Sequence, residues 1–209
     1  MREYGLYIFD FDNTLFDTRQ GIDAILSCAL PAIGVEYDPS QFTKYLGMNI
    51  DQVFEKYSND PNAYEEFCRR FYSVVNSDAY RGAVPFPETE SVLRELKARG
   101  KRIGIASGKK TYKIETLLSD RGMEDIPETI VGWDDTERHK PEPDPIALAF
   151  SRFDVPKEDA LYIGDSPNDS LASEAFGIDC AIVNRHNELS VDGIPCTYEI
   201  ESLSELLDW

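Results

Sequence analysis

The stretch Leu6-Tyr-Ile-Phe-Asp-Phe-Asp-Asn-Thr-Leu15 decides how the rest of the chain is interpreted. Its first four residues are apolar and rich in β-forming side chains, which is typical of a buried strand. Asp10 stands where that strand is predicted to end, and Asp12 follows two residues later. In an open parallel sheet, the carboxyl ends of the strands face the ligand crevice. Two carboxylates so close together repel each other and resist burial, which a bound divalent cation such as Mg²⁺ resolves.

Two other interpretations apply to this segment. Asp-x-Asp-Asn is also ordinary turn chemistry, in which Asp10 and Asp12 are solvated turn residues. A calcium-binding loop fails on spacing, because Leu15 and Gly21 occupy the positions where its Gly and Glu belong. The choice between a metal site and a plain turn therefore depends on the remaining sequence.

Composition excludes several classes of protein. With 209 residues the chain has material for one large domain or for a core with a smaller insert, and its net charge of −18 disfavours binding to nucleic acid or anionic membranes. No segment approaches the roughly 20 apolar residues of a membrane span, and the N-terminus leaves no room for a signal peptide. No two cysteines are close in sequence, as expected for free thiols in a reducing compartment. We therefore expect a cytoplasmic protein.

Residues 17–83 are predicted to form a helical insert after the first strand, between about Phe16 and Arg81. Apolar residues recur at helical spacing over residues 20–30, 50–57 and 64–75. Thr18 is the available N-cap of the first helix and Pro31 is expected to end it. The aromatic stripe of the third helix is more typical of a helical core than of a ligand surface.

From residue 84 onward the pattern alternates between strands and helices. Strands are predicted at 102–106, 128–131, 160–163, 179–183 and 196–198. Helices are predicted at 87–100, 145–153, 168–176 and 202–206, and another contains Ile114, Leu117 and Leu118 and ends near Gly122. Such alternation implies a parallel sheet with right-handed crossovers. The predicted fold is α/β, a doubly wound parallel sheet of residues 1–16 and 84–209, into which the helical residues 17–83 are inserted.

Ser107 and Gly108 follow the predicted strand 102–106. A hydroxyl and free N–H groups at such a strand end are able to bind a phosphate oxygen, although a plain Ser-Gly turn has the same sequence. Lys140 begins a proline-stiffened loop that is able to hold its ammonium against a phosphate. The adjacent His139 is a weak candidate for a general acid or base, because a histidine in a loop is usually just exposed.

Asp165 ends the predicted strand 160–163, and Asp169 lies one helical turn later. Compensation of the helix dipole explains an acidic residue at position 169, but it does not explain one at the strand end. We therefore expect both Asp165 and Asp169 to face the metal that Asp10 and Asp12 require.

These motifs, in this order, resemble those of the haloacid dehalogenase-like (HAD) superfamily of phosphohydrolases. Residues 10–15 resemble the motif DxDx[TV], Ser107 and Lys140 the second and third motifs, and residues 164–169 the acidic fourth motif. The helical insert resembles the type-one cap of the subgroup that contains phosphoglycolate phosphatases and β-phosphoglucomutases. Asn13 replaces the Gly usual in that subgroup, but Asn tolerates a left-handed backbone, so we expect the turn to persist.

The resemblance implies a Mg²⁺-dependent phosphomonoester hydrolase that acts on a small phosphorylated metabolite through an aspartyl-phosphate intermediate. It implies that Asp10 is the nucleophile and that Asp12 is the general acid and base. The other implied roles are metal binding by Asp10, Asp165 and the Asp12 carbonyl, phosphate binding by Ser107, Gly108 and Lys140, and support by Thr14 and Asp169.

Two alternatives to a phosphatase stay open. A sugar phosphomutase shares every motif, and only the fate of the phosphoryl group distinguishes it. A receiver-like signalling module also combines acidic residues, Mg²⁺, a hydroxyl and a lysine, although the spacing of Asp10 and Asp12 and the helical insert count against it. The sequence indicates neither the substrate nor the oligomeric state.

Overall fold

The computed structural model describes residues 2–77, 82–185, 189 and 193–209. The chain forms two compact units, one of Met1–Phe16 with Pro85–Trp209 and one of Asp17–Val84. Arg81, near which the sequence analysis places the second junction, lies outside the described residues.

The first unit is built on a six-stranded parallel sheet. Its strands are β1 (Leu6–Phe9), β4 (Arg102–Ala106), β5 (Thr129–Val131), β6 (Ala160–Gly164), β7 (Asp179–Val183) and β8 (Tyr198–Ile200). They lie in the order β5-β4-β1-β6-β7-β8. Leu6 and Ile8 pack in one hydrophobic cluster with Ile146, while Tyr7 and Phe9 are also buried although they point to the opposite face. The sheet is therefore covered on both faces, and the predicted fold class is confirmed.

The strand register aligns three of the predicted site residues. Phe9 pairs with Ile105 on one side and with Ile163 on the other. The central strand β1 ends one residue before its two neighbours, so Asp10, Ser107 and Asp165 lie within one residue of the same level at the carboxyl edge of the sheet. The helices of this unit, which pack against the sheet, are α4 (Thr89–Ala98), α5 (Thr111–Ser119), α6 (Asp144–Phe150) and α7 (Pro167–Phe176).

Several boundaries differ from the sequence prediction, among them those of α6, β8 and the terminal helix. Helix α6 stops at Phe150 because the following N–H groups turn to tighter i→i−3 bonds, as between Phe153 N and Phe150 O. The edge strand starts at Tyr198, since Cys196 is still in a turn with Ile194. The terminal helix, capped by Ser202 as expected, is a 3₁₀ helix over Leu203–Asp208.

The second unit is helical and has its own core. Its helices are α1 (Arg19–Ala29), α2 (Ile50–Glu55) and α3 (Pro61–Val75), with 3₁₀ turns at Leu30–Ile33 and Pro39–Tyr45. Phe67 of α3 is fully buried among side chains from α1 and α2, so this part of the aromatic stripe is core as expected. Thr18 is at the N-cap of α1, yet its side chain makes no capping hydrogen bond. Pro31 does end α1, because it starts the 3₁₀ turn.

A separate two-stranded sheet pairs β2 (Phe16–Asp17) with β3 (Val84–Pro85). The sequence pattern does not predict it, because strands of two residues carry no hydrophobic period. Within the part of the chain that the structure describes, none of the helices is both long enough and apolar enough to cross a membrane.

Candidate active site

Carboxylates from two strand ends and one helix meet at the carboxyl edge of the sheet. Asp10 follows β1 and Asp165 follows β6, and both are more than nine-tenths buried. Asp169, from the first turn of α7, is fully buried beside them. One carboxylate oxygen from each of the three lies within 4.8 Å of the others. The structure thus brings together three of the predicted residues, which stand up to 159 positions apart in the sequence.

Lys140 supplies the positive charge of this cluster. Its Nζ lies 2.8 Å from Asp10 Oδ1 and 2.5 Å from Asp169 Oδ1, and it donates to the Tyr162 hydroxyl at 2.9 Å. Burial lowers the pKa of Lys140, but the carboxylates of Asp10 and Asp169 outweigh it and hold that pKa well above its ordinary value. The ammonium is therefore a fixed cation in the site.

Both carboxylate oxygens of Asp169 accept hydrogen bonds from other groups of the protein. Oδ1 accepts a hydrogen bond from Lys140 and lies 3.2 Å from the oxygen of the Tyr162 hydroxyl. Oδ2 accepts from the backbone N–H of Asp165 at 3.2 Å, and from Ser166 through its N–H at 3.0 Å and its hydroxyl at 2.6 Å. Asp169 therefore orients Lys140 and the turn after β6, which fits the supporting role that the sequence analysis assigns to it.

Asp10 and Asp165 carry the unbalanced charge. Burial raises the pKa of Asp10 to about 6, with Lys140 opposing the rise and Asp169 and Asp12 adding to it. Burial also raises the pKa of Asp165 well above its ordinary value, as do the charges of Asp169 and Asp10. Three buried carboxylates thus face one ammonium, and hard oxygen donors in this arrangement fit a divalent cation such as Mg²⁺.

Asp12 points its side chain to a different partner. Its Oδ1 lies 2.9 Å from Nζ of Lys109, whose side chain is only 3% exposed. The next residue, Asn13, has a left-handed backbone with φ of 55°. This confirms the expectation that the turn persists with Asn in place of Gly. The side chain of Asp12 is 23% exposed, more than that of Asp10. A metal contact through the Asp12 carbonyl stays a prediction.

Ser107, Gly108 and Thr14 lie around the same edge. Ser107 is buried directly after β4, and its hydroxyl accepts a hydrogen bond from Lys109 N at 3.3 Å. Gly108 is exposed. The Thr14 hydroxyl is buried without a partner among the described residues. Ser107 and Gly108 thus follow the end of β4, as the sequence predicts. Phosphate binding by these two residues stays a prediction.

Sequence reasoning missed two residues of this site, Lys109 and Tyr162. A signal existed for Tyr162, because a buried tyrosine in an otherwise aliphatic strand needs a partner for its hydroxyl, which here donates to Ala106 O at 2.7 Å. Lys109 directly follows Ser107-Gly108 in the chain, but nothing in the sequence indicates that its ammonium turns inward. His139 stacks on Trp133, with ring centroids 3.2 Å apart.

Comparison with known proteins identifies the family. The family model for haloacid dehalogenase-like hydrolases matches residues 7–183, which include all the motifs above. The chain belongs to this family. The predicted membership of a hydrolase enzyme family is therefore confirmed, and the acidic cluster lies where the HAD-like motifs are.

Individual relatives agree with this assignment. A phosphoglycolate phosphatase of Photorhabdus laumondii is 31% identical over 183 residues, covering 82% of this chain and 76% of the relative. The pyrophosphatase PpaX of Bacillus cereus is 30% identical over 183 residues, covering 85% of this chain and 82% of the relative. A crystal structure described as a haloacid dehalogenase-like hydrolase, from Bacteroides fragilis, is 29% identical, with a TM-score of 0.86 over 98% of this chain and 100% of that one.

Proposed function

We propose that this HAD-like hydrolase is a Mg²⁺-dependent phosphatase that acts on a small phosphorylated metabolite through phosphorylation of Asp10. The observation that carries the proposal is the buried Asp10 carboxylate, held 2.8 Å from the Lys140 ammonium beside Asp165 and Asp169. A dianionic phosphoryl group approaches an anionic nucleophile only where positive charge screens the repulsion. Lys140 supplies one such charge, and a divalent cation held by Asp10 and Asp165 would supply the rest.

The reaction divides into two displacements. An oxygen of Asp10 attacks phosphorus, the bond from phosphorus to the leaving oxygen breaks, and an acyl phosphate forms on Asp10. Asp12 gives its proton to the leaving oxygen, then takes a proton from the water that attacks the acyl phosphate and regenerates Asp10. The partial exposure of the Asp12 side chain supports a role in proton exchange. Ser107, the Gly108 backbone and Lys140 are assigned to the transferring oxygens.

Inorganic pyrophosphate is a second candidate substrate. The relatives named phosphoglycolate phosphatase and pyrophosphatase are 31% and 30% identical to this chain, so similarity does not separate the two leaving groups. The attack on phosphorus is the same for both substrates. The match to a hydrolase family speaks against a receiver-like module, whereas a phosphomutase is distinguished by testing a sugar 1-phosphate for isomerisation.

We also propose that residues 17–83 act as a cap that discriminates among leaving groups. This segment is helical, has its own core, and begins only five residues after Asp12 in the chain. The motif residues in the first unit address the phosphoryl group and the metal. Selection of the remaining part of the substrate is therefore expected to involve the insert as well.

The test is phosphate release by the wild type and by Asp10→Asn, with Mg²⁺ present and with a panel of phosphomonoesters, pyrophosphate and sugar phosphates. Asp10→Asn is nearly isosteric but a poor nucleophile, so we expect a folded protein whose turnover falls to background. Asp154→Asn, at an exposed position, removes the same charge and should retain wild-type turnover. Wild-type-like turnover by Asp10→Asn would rule out the assignment of the nucleophile.

A further inference from the structure

Tyr162 places a hydroxyl group under the acidic cluster. It is the middle residue of β6, is fully buried, and pairs in register with Ile8 of the central strand. Its ring belongs to the hydrophobic cluster that also contains Leu6 and Ile146. A close-packed interior leaves such a ring little freedom to change rotamer. The hydroxyl is therefore held at a fixed point inside the first unit.

The partners of this hydroxyl determine the direction of its hydrogen bonds. A tyrosine hydroxyl has one hydrogen, and the Ala106 carbonyl oxygen, 2.7 Å away, is only able to accept it. The Lys140 ammonium, with Nζ 2.9 Å away, is only able to donate. The Tyr162 hydroxyl therefore donates to Ala106 O and accepts from Lys140.

The Tyr162 oxygen is the third acceptor around the Lys140 ammonium. Nζ also lies 2.8 Å from Asp10 Oδ1 and 2.5 Å from Asp169 Oδ1. An ammonium has three hydrogens, so each of them has an acceptor here. Two contacts alone would leave the end of a flexible lysine side chain free to swing about the line between the two carboxylates. The third contact fixes its position.

The third acceptor carries no net charge. Three buried carboxylates already face the single ammonium of Lys140. Another carboxylate in place of the Tyr162 hydroxyl would increase the repulsion that an anionic phosphoryl group meets as it approaches Asp10. The hydroxyl thus orients Lys140 without neutralising more of its charge.

We infer that Tyr162 is a positioning residue, which holds the Lys140 ammonium at the point beside Asp10 where its charge screens the transferring phosphoryl group. This inference rests on the proposed function, because only that function brings a phosphoryl group to Asp10. Tyr162 acts through Lys140 and is assigned no contact with the substrate. A misplacement of about 1 Å in such a site is able to lower the rate by about a hundredfold.

The first test is Tyr162→Phe, which removes one oxygen and keeps the ring. With Mg²⁺ and the best substrate of the panel above, we expect kcat to fall by about tenfold or more, because the ammonium is no longer aligned with the transition state. KM should stay within about threefold of the wild-type value, because the charge of Lys140 remains in the site. Circular dichroism and urea denaturation establish that the variant is folded.

Tyr7→Phe is the matched control. Tyr7 is the other tyrosine of the two central strands β1 and β6, and it is 1% exposed. Its hydroxyl accepts a hydrogen bond from Tyr4 N at 3.4 Å. The control therefore removes a buried tyrosine hydroxyl from the same sheet at a different place, and it should keep the wild-type kcat.

A second variant separates positioning from stability. 4-Aminophenylalanine, introduced at position 162 in place of Tyr162, has an amino group that reaches as far as the hydroxyl. This group still donates to Ala106 O, but its lone pair is delocalised into the ring and accepts poorly from Lys140. We expect its free energy of unfolding to be closer to the wild-type value than that of Tyr162→Phe, with kcat as low as in Tyr162→Phe. It keeps the test decisive if Tyr162→Phe does not fold.

The failures of the two proposals are distinguishable. If both variants keep kcat within about twofold of the wild type, the positioning role is wrong and the phosphatase assignment stands. The role is also wrong if the amino group restores wild-type kcat, if KM rises at unchanged kcat, or if Tyr7→Phe loses as much rate as Tyr162→Phe. If the wild type releases phosphate from no compound of the panel, the proposed function fails, and the positioning role fails with it.

Discussion

Gly164 shows how a single position shapes the acidic cluster. A Cβ atom added to Gly164 would lie 2.3 Å from Cγ and 2.5 Å from Cβ of Asp169, far inside van der Waals contact. The last residue of β6 therefore has to be glycine so that Asp169 is able to approach the strand and orient Lys140. The Gly-Asp pair in the fourth motif has a steric cause as well as a chemical one.

Gly164→Ala should consequently damage both stability and activity. The added methyl group forces Asp169 away from its donors, and overpacking of this kind costs about 1–3 kcal/mol in free energy of unfolding. Gly82→Ala is the control, because nothing lies within 4 Å of a Cβ added there. Urea denaturation and phosphate release measure the two effects. Wild-type values for Gly164→Ala in both assays would contradict the steric argument.

Individual site residues differ in how far the sequence predicts them. Asp10, Ser107 and Asp165 each follow a buried apolar run, so the parallel-sheet rule brings them to one edge. The contact of Lys109 with Asp12 joins residues that are far apart in the chain and depends on side-chain direction. No sequence period encodes such a direction, which is why the partner of Asp12 came only from the structure.

Among the elements, Arg185 ties three segments of the first unit together. It follows β7 and lies 2.5 Å from Glu88, the N-cap residue of α4. Its guanidinium also donates to Thr14 O at 3.2 Å, in the turn after β1, and stacks over the Phe86 ring at 3.6 Å. The ion pair is largely buried, with 17% of each side chain exposed. It therefore fixes the turn that carries Thr14 relative to α4 and β7.

Glu88→Gln should weaken this connection in a pH-dependent way. Burial raises the pKa of Glu88, but Arg185 outweighs it and the net pKa is below the ordinary value. Because the pKa of Glu88 is lower in the folded protein, the unfolded chain binds the proton more tightly. The stabilisation by the Glu88 charge is therefore complete above the unfolded pKa of about 4.3, and it is lost as pH falls through the lower folded pKa. We expect the variant to lose about 1–3 kcal/mol at pH 7 and to approach the wild type in strong acid.

Urea denaturation from pH 7 to pH 2 checks this prediction. Glu90→Gln is a suitable control, because Glu90 lies on the same helix and its ion pair with Arg94 is about half exposed. An unchanged difference between wild type and Glu88→Gln over the whole pH range would show that the Glu88 charge does not contribute.

For the molecule as a whole, the sequence predicts the architecture well, because strands of three to five mostly buried residues alternate with helices of seven to ten residues. The order of the strands follows from the right-handed crossover rule only in part, since several orders satisfy it. The strands β2 and β3 have only two residues each, so they show no hydrophobic alternation from which a strand is predicted. The sequence shows a net charge of −18, which an anionic substrate has to overcome locally. The structure places the ammonium groups of Lys140 and Lys109 next to Asp10 and Asp12, which the sequence pattern alone does not reveal.

The excess negative charge of the acidic cluster predicts that the free protein is less stable than its metal complex. Under the proposal that Asp10 and Asp165 hold Mg²⁺ in the folded protein, Mg²⁺ at 100 times its dissociation constant should add about 2.7 kcal/mol to the free energy of unfolding. Asp165→Asn replaces a buried carboxylate by a neutral group of the same shape. In EDTA this variant should equal or exceed the wild type in stability, because it removes a charge that Asp10 and Asp169 repel.

The same variant should gain little stability from Mg²⁺ and should lose phosphate release, since one metal ligand is gone. Asp154→Asn, which also removes one negative charge from the chain, separates this effect from the general repulsion expected at a net charge of −18. Thermal unfolding in EDTA and in Mg²⁺ measures all three proteins. If Asp165→Asn is clearly less stable than the wild type in EDTA, the carboxylate at this position stabilises the fold. The acidic cluster then does not lower the stability of the metal-free protein.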